Sequence, residues 1–221
     1  MKGTAFMKIV LLGGPGAGKG TQSKIISEKF QISHISTGEI LRRAMEDKTE
    51  IGIQVEHIMN EGNLVPDQLA IDILKDRIAE KDCERGFVLD GFPRTLKQAE
   101  LLENVVGEVD KIIYISVPDE YVIRRMSGRY TCPKCGAMYH LEYNRPERDG
   151  YCNSCNLELV QREDDRIRTV ENRLKVFHEL TKPIVDYFKN RDMLVEINGI
   201  GEINSITNLI AAAVDRHQQE V

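Results

Sequence analysis

The chain of 221 residues is 41% hydrophobic and has a formal net charge of −5, which allows one well-buried core with one or two small excursions. A mildly acidic chain without long runs of one charge sign is a poor generic binder of nucleic acids or membranes. No apolar run approaches the roughly 20 residues that cross a bilayer, and the N-terminal residues lack the hydrophobic segment of a signal peptide. We therefore expect a cytoplasmic protein.

The first informative segment is a glycine-rich turn at 13–21, with the sequence Gly-Gly-Pro-Gly-Ala-Gly-Lys-Gly-Thr. It follows the apolar run 9–12 and precedes a helical pattern, so it joins a strand to a helix. Glycines let backbone N–H groups approach phosphate oxygens, and the start of a helix adds positive potential. Lys19 supplies a mobile charge for the β- and γ-phosphates. The match to G-x-x-x-x-G-K-[ST] is imperfect, because Gly20 follows the lysine and the hydroxyl comes at Thr21.

Apolar runs alternate with helical patterns along the chain. Strands are predicted at 8–12, 32–35, 87–89, 111–117 and 194–197. Helices are predicted at 18–30, 37–47, 54–61, 67–80, 95–106, 119–127, 164–190 and 202–217, and Pro183 should kink or split the long one. This order predicts an α/β fold like that of P-loop NTPases, with a five-stranded parallel sheet between two helical layers. Ligands of such sheets bind at the carboxyl ends of the strands, where Gly13, Asp90 and Ser116 lie.

A block from about 128 to 162, here called the cysteine insertion, interrupts this alternation. It contains two C-x2-C pairs separated by sixteen residues, formed by Cys132, Cys135, Cys152 and Cys155. Four thiolates with this spacing predict one closed, structural zinc site, with iron as the competing metal. Disulfides are disfavoured in a reducing compartment, and Cys83 is expected to be a plain thiol.

Arginines and one aspartate mark a second functional region. Asp90 ends a predicted strand, where a carboxylate would hold Mg²⁺ directly or through water. Arg94 follows in a turn, and its planar guanidinium is suited to bidentate contact with phosphate. Further arginines flank the cysteine insertion at positions 125, 129, 162 and 173. The five histidines lie outside the phosphate motifs, and we expect them to be structural.

Together these motifs resemble the nucleoside monophosphate kinases, and most closely the adenylate kinases of the long, zinc-containing bacterial type. The resemblance spans nearly the whole chain. It includes Gly-Gly-Pro-Gly-Ala-Gly-Lys-Gly-Thr-Gln at 13–22, Ser-Thr-Gly at 36–38, Asp-Gly-Phe-Pro-Arg-Thr at 90–95, Gly-Arg at 128–129 and Arg-Glu-Asp-Asp at 162–165.

The resemblance implies a role for each matching residue. ATP, with Mg²⁺ at Asp90, would be bound by Gly14, Pro15, Gly16, Ala17, Gly18, Lys19, Gly20, Thr21, Arg125, Arg129, Tyr139 and Ile200. AMP would be bound by Thr37, Arg42, Asn63, Val65, Gly91, Arg94, Gln98, Arg162 and Arg173. The catalytic cations would be Lys19, Arg94, Arg129, Arg162 and Arg173.

The resemblance also implies three parts of the molecule and one reaction. A core would comprise 7–35, 66–126 and 165–221, with an AMP-binding region at 36–65 and a zinc-binding lid at 127–164. The expected reaction is reversible phosphoryl transfer from Mg-ATP to AMP, giving two ADP, by a monomer with no nucleic acid or membrane partner. The alternatives are a kinase that uses GTP as donor or UMP/CMP as acceptor, and a P-loop protein whose zinc ribbon binds nucleic acid.

Overall fold

The computed structural model describes the backbone of residues 6–220 and the side chains of residues 6–215. Its main sheet contains β1 (Met7–Gly13), β2 (Ser33–Ser36), β3 (Gly86–Asp90), β4 (Lys111–Ser116) and β7 (Leu194–Asn198), while β5 (Arg129–Thr131) and β6 (Met138–His140) form a separate pair. The main sheet has the order β2-β3-β1-β4-β7, and all its pairings are parallel. The predicted five-stranded α/β fold is confirmed.

Helices separate the strands as predicted. They are α1 (Lys19–Phe30), α2 (Thr37–Glu46), α3 (Glu50–Asn60), α4 (Asp67–Ile78), α5 (Leu96–Val106), α6 (Asp119–Ser127), α7 (Ile167–Val176), α8 (Lys182–Lys189) and α9 (Ile203–Glu220). Helix α3 begins four residues earlier than expected, because the Thr49 hydroxyl accepts the Gly52 N–H at 3.1 Å and caps the helix. The last helix was predicted to end at His217, whose side chain lies outside the described residues. Within residues 6–220, no helix is both long and apolar enough to span a membrane.

The core covers both faces of the main sheet. Val10 and Leu12 of β1 contribute to one buried apolar cluster, while Ile9 and Leu11 contribute to the other. Side chains alternate between the faces of a strand, so a strand buried on both sides must be apolar at every position. The near-continuous apolar runs of the sequence therefore reflect a sheet enclosed by two layers of helices.

The parallel register brings distant segments to one edge of the sheet. Asp90, the last residue of β3, pairs with Leu11 of β1 on one side and with Ser36 of β2 on the other. The glycine-rich turn after β1 and the turn after β3 are consequently neighbours at the carboxyl ends of the strands.

Pro183 splits the predicted long helix, as expected, and does so through a π-helical turn at Phe177–Thr181. Proline has no N–H for the helical ladder, and the Lys182 N–H bonds to the Phe177 carbonyl, five residues back. Two side chains of this turn reach the sheet edge. The Phe177 ring packs close to Gly14, and the Thr181 hydroxyl donates to the Arg94 carbonyl at 2.9 Å.

The cysteine insertion folds around a small centre of its own. Strands β5 and β6 pair antiparallel, and Thr131 and Val160 form an additional bridge. Its buried cluster contains only Cys132, Tyr139, Cys152 and Leu159. Because this core is so small, the insertion needs further stabilisation.

Candidate active site

The glycine-rich turn presents Lys19 at the start of α1. Gly18 immediately before it has φ +100°, a left-handed conformation that glycine adopts without strain. The Lys19 ammonium donates to the carbonyls of Gly13 and Gly14, each at 2.8 Å. Burial lowers the pKa of Lys19 to about 8, although the charge of Asp90 opposes this shift. The lysine is thus held within the turn, where a polyanion would favour its charged form.

Asp90 faces the beginning of α1 from the end of β3. A methyl group added at Gly20 would lie 3.4 Å from the Asp90 Oδ2 atom. Asp90 is largely buried, and its charge interacts with those of Lys19 and Arg94. A carboxylate beside a phosphate-binding turn suits a hard cation such as Mg²⁺.

Arg94 is fixed by a network in the turn after β3. Its Nε donates to the Gly91 carbonyl at 2.8 Å, and its backbone N–H donates to Gln98 Oε1 at 2.7 Å. Gln98 in turn donates to Asp67 at 2.8 Å, and the Thr37 hydroxyl donates to Gly91 at 2.9 Å. Burial lowers the pKa of Arg94. The network orients this guanidinium before any ligand arrives.

Two adjacent carboxylates gather arginines from three separate segments. Asp165 is fully buried and forms a bidentate pair with Arg129 of β5. Asp164 accepts a hydrogen bond from Arg173 of α7 at 2.8 Å and lies 3.6 Å from Arg42 of α2. Arg173 also lies 3.4 Å from Asp165. The carboxylates therefore join α2, the cysteine insertion and α7 at one point.

Positive charge exceeds negative charge at this sheet edge. The cations are Lys19, Arg42, Arg94, Arg129, Arg162 and Arg173, and the facing carboxylates are Asp90, Asp164 and Asp165. Burial lowers the pKa of Arg162 and of Arg173 to about 10; neighbouring arginines add to both shifts, and for Arg173 the charge of Asp164 opposes it. A half-buried surplus of guanidinium groups is unfavourable in the free protein and would be relieved by a polyanion.

Two cavities meet at these cations. The first is lined by the glycine-rich turn, including Gly13, Pro15 and Lys19. The second is lined by AMP-region and turn residues, namely Thr37, Gly38, Arg42, Asn63, Val65, Gln98 and Asp164. Both cavities are also lined by Gly62, Leu64, Gly91, Arg94 and Arg173. Two anionic groups, one from each cavity, would reach the same two arginines.

Other predicted ATP contacts lie apart from the two cavities. Arg125 donates to the Gly199 carbonyl at 2.8 Å, next to Ile200 and beyond the end of β7. The Tyr139 hydroxyl accepts the Asn153 N–H at 2.9 Å and lies 3.5 Å from Cys152 Sγ, inside the cysteine insertion. Met138, which precedes Tyr139, does lie near the glycine-rich turn: a methyl group at Gly20 would be 3.4 Å from the Met138 Cε atom.

The four predicted metal ligands come together. The Sγ atoms of Cys132, Cys135, Cys152 and Cys155 all lie within 4.8 Å of one another, and Cys135 and Cys152 are 3.7 Å apart. A tetrahedral ion with Zn–S bonds of about 2.3 Å would separate its sulfurs by roughly 3.8 Å. The cysteines are unpaired, so the disulfide alternative is not realised. The donor set and its spacing fit zinc.

Comparisons with known proteins agree with this geometry. A family model described as "Adenylate kinase" matches residues 11–193. The curated adenylate kinase of Caldicellulosiruptor bescii is 48% identical over 212 residues, which cover 94% of this chain and 99% of the relative. That of Clostridium novyi is 45% identical over 213 residues, covering 95% and 99%. The chain belongs to the adenylate kinase family.

Several residues of this adenylate kinase family member were not predicted from the sequence as parts of the site. Asp164 and Asp165 were recognised only as a motif, and their pairing with arginines 9 and 36 residues away depends on tertiary packing. Asp67 was read as a helix start, whereas it also accepts hydrogen bonds from Thr95 and Gln98. Pro66 followed by Asp67 is a local pattern that predicts the start of a helix. No local pattern predicts the hydrogen-bond partners of Asp67.

The lowered pKa of Lys19 predicts a pH-dependent affinity for a nucleoside triphosphate. Below pH 8 the free protein already has a charged lysine, whereas above pH 8 binding requires the uptake of a proton. The dissociation constant for ATP, measured calorimetrically without added Mg²⁺, should rise about tenfold between pH 8 and pH 9.5. In Lys19→Met the affinity should be weaker and nearly independent of pH over this range. A wild-type affinity that stays constant up to pH 9.5 would contradict the prediction.

Proposed function

We propose that the protein catalyses reversible transfer of the γ-phosphoryl group of Mg-ATP to AMP, giving two ADP, and so maintains the balance of adenine nucleotides. The observation that carries this proposal is the junction of two cavities at Arg94 and Arg173. One cavity opens onto a phosphate-binding turn, and the other is lined by the residues that the family resemblance assigns to AMP.

The donor and acceptor positions follow from this junction. The donor phosphates would lie along the turn 14–21, with Lys19 on the β- and γ-phosphates. The donor base would lie toward Arg125 and Ile200. The acceptor would be held by Thr37, Arg42, Asn63, Val65, Gly91, Gln98 and Arg162. Arg94 and Arg173 line both cavities and would contact the group in transfer.

The reaction requires electrostatic stabilisation more than proton transfer. The AMP phosphate is already an anion at neutral pH, so no general base is needed, and among the described side chains no histidine lines either cavity. The barrier comes from bringing two polyanions into line. Lys19, Arg94, Arg129 and Arg173 offset this repulsion and stabilise the charge on the transferring group.

Two metal ions have places in this scheme. Asp90 would hold Mg²⁺, directly or through water, and the ion would neutralise charge on the donor phosphates. The four cysteines would hold a closed structural zinc. With no open position for water, this zinc would stabilise the insertion and leave the reaction to the cations.

The three-part organisation explains how water is excluded. We propose a core of 7–35, 66–126 and 165–221, whose last residue lies outside the described part, an AMP-binding region at 36–65 and a lid at 127–164. The contact of Met138 with the Gly20 region supports a lid that covers the phosphates. So does Lys24 of α1, which donates to the Gly136 carbonyl at 3.4 Å. Closure would protect the phosphoryl group from hydrolysis.

A cytoplasmic monomer is the state that we propose. Free cysteines are typical of a reducing compartment. The residues that line both cavities come from one chain, so the proposed chemistry does not need a second copy.

The alternative functions are less well supported. A different acceptor would keep the same fold, but Thr37 and Gln98 resemble the AMP set, and short pyrimidine-specific relatives lack a large lid. A nucleic-acid-binding zinc ribbon should be basic. Positions 119–173 instead contain ten Lys/Arg and ten Asp/Glu residues.

Acceptor specificity gives the most direct test. Formation of ADP from Mg-ATP should be fast with AMP and at least tenfold slower with UMP, CMP or GMP, because the acceptor cavity contains the AMP set of side chains. A coupled assay with each acceptor, repeated with GTP as donor, measures this. Faster turnover with UMP or CMP than with AMP would refute the proposal.

Removing a central cation should abolish most of the activity without unfolding the protein. Lys19→Met or Arg94→Gly should lower kcat/KM by about 10³-fold, or about 4 kcal/mol, because each removes charge stabilisation of the transferring group. Circular dichroism should show retained structure. Arg85→Ala is the matched control, since Arg85 is exposed and lines neither cavity. Near wild-type turnover in purified Lys19→Met would be incompatible with this mechanism.

Loss of a metal ligand should affect stability more than substrate binding. Cys132→Ser should lose bound zinc and lower the melting temperature by about 5–10 °C, while KM values at low temperature change little. Elemental analysis and thermal melting measure the two effects. Cys83→Ser should keep its zinc, because Cys83 lies outside the cluster. An unchanged melting curve after zinc loss would exclude a structural metal.

A further inference from the structure

The end of α3 and the turn after it are attached to α7 by the side chains of Thr169 and Asn172, which line neither cavity. The Asn172 side-chain amide donates to the Glu61 carbonyl at 2.7 Å and to Asn63 Oδ1 at 3.0 Å. One helical turn earlier, the Thr169 hydroxyl donates to the Asn60 carbonyl at 3.4 Å. The turn that follows α3 is therefore bonded to α7 through three contacts, two of them from Asn172.

This attachment brings the backbone against a predicted catalytic arginine. Gly62 has φ +82°, and a methyl group on it would lie 2.7 Å from Arg173 Cγ and 3.0 Å from the Thr169 carbonyl oxygen. Only glycine fits such a close approach at this conformation. The stem of Arg173 thus packs directly beneath the turn that Asn172 holds.

The attached turn is part of the acceptor cavity. Asn63 lines only that cavity, Gly62 and Arg173 line both cavities, and Asn172 lines neither. Asn172 is adjacent to Arg173 in α7, but its side chain bonds to the Glu61 carbonyl and to the Asn63 side chain. Its influence on a ligand would be exerted through the position of the turn.

We infer that Asn172 is a positioning residue for the acceptor: it holds the turn 61–63 in the closed position, so that closure of the AMP-binding region and placement of Arg173 are one event. This inference rests on the proposed function, because it names the acceptor as AMP. Without the two hydrogen bonds, the closed turn would be less populated in the free protein. The binding of AMP would then have to close the turn, which weakens the apparent affinity for AMP. The hydrogen bond to Asn63 makes this link specific to the acceptor, because Asn63 lines only the acceptor cavity.

The inference predicts a change that is specific to one substrate. In Asn172→Ala, KM for AMP should rise about tenfold, which is the size expected for two lost hydrogen bonds. KM for ATP should rise clearly less than KM for AMP, because Asn63 lines only the acceptor cavity. In Asn172→Asp, which keeps the shape but lacks the N–H donors, the rise should be at least as large, because a carboxylate then faces two acceptor oxygens. Calorimetric titration with AMP alone should show the same loss of affinity.

Glu171→Ala is the matched control, because Glu171 is the exposed neighbour on the same helix and lines neither cavity. Its KM values should match those of the wild type. Partial unfolding of a variant lowers kcat but does not raise KM, so the readout is independent of the folded fraction. Unchanged KM for AMP in both Asn172 variants, or an equal rise in both KM values, would overturn the inference. Absence of ADP formation by the wild-type protein would instead refute the proposed function.

Discussion

A surplus of half-buried positive charge is the constraint on which the rest of the structure depends. Guanidinium groups withdrawn from water are costly unless they are paired. Asp164 and Asp165 pair with Arg129, Arg173 and Arg42, and they thereby hold together segments that are far apart in the chain. The charge that remains unpaired would favour the binding of polyanions. Stability and ligand binding consequently depend on the same small set of side chains.

The sheet topology brings these charged residues close together. Parallel strands end at one edge, so the glycine-rich turn and the Arg94 turn become neighbours through backbone pairing alone. The π-helical turn before Pro183 then directs Phe177 toward Gly14 and Thr181 toward the Arg94 carbonyl. A feature that weakens a helix in isolation therefore serves to support two separate parts of the site.

Local patterns in the sequence were sufficient for the elements and for part of the site. Apolar runs predicted all five strands of the main sheet, and the two C-x2-C pairs predicted a cluster that forms as expected. The early start of α3 was missed, because it depends on a single threonine cap. The partners of Asp164, Asp165 and Asn172 were also missed, since these contacts join residues brought together only by the complete fold. The role of Tyr139 in ATP binding, which rests on resemblance, stays a prediction; its hydroxyl lies 3.5 Å from Cys152 Sγ.

The sharing of Arg94 and Arg173 by both cavities has a consequence for the direction of the reaction. In the proposed reaction, two ADP molecules would occupy the cavities in the reverse direction, and the phosphoryl group would contact the same two guanidinium groups as in the forward direction. Neither arginine can then be tuned to favour one direction, because any gain in stabilising the shared transition state speeds both equally. The concentrations of ATP, ADP and AMP would then determine the net direction of phosphoryl transfer.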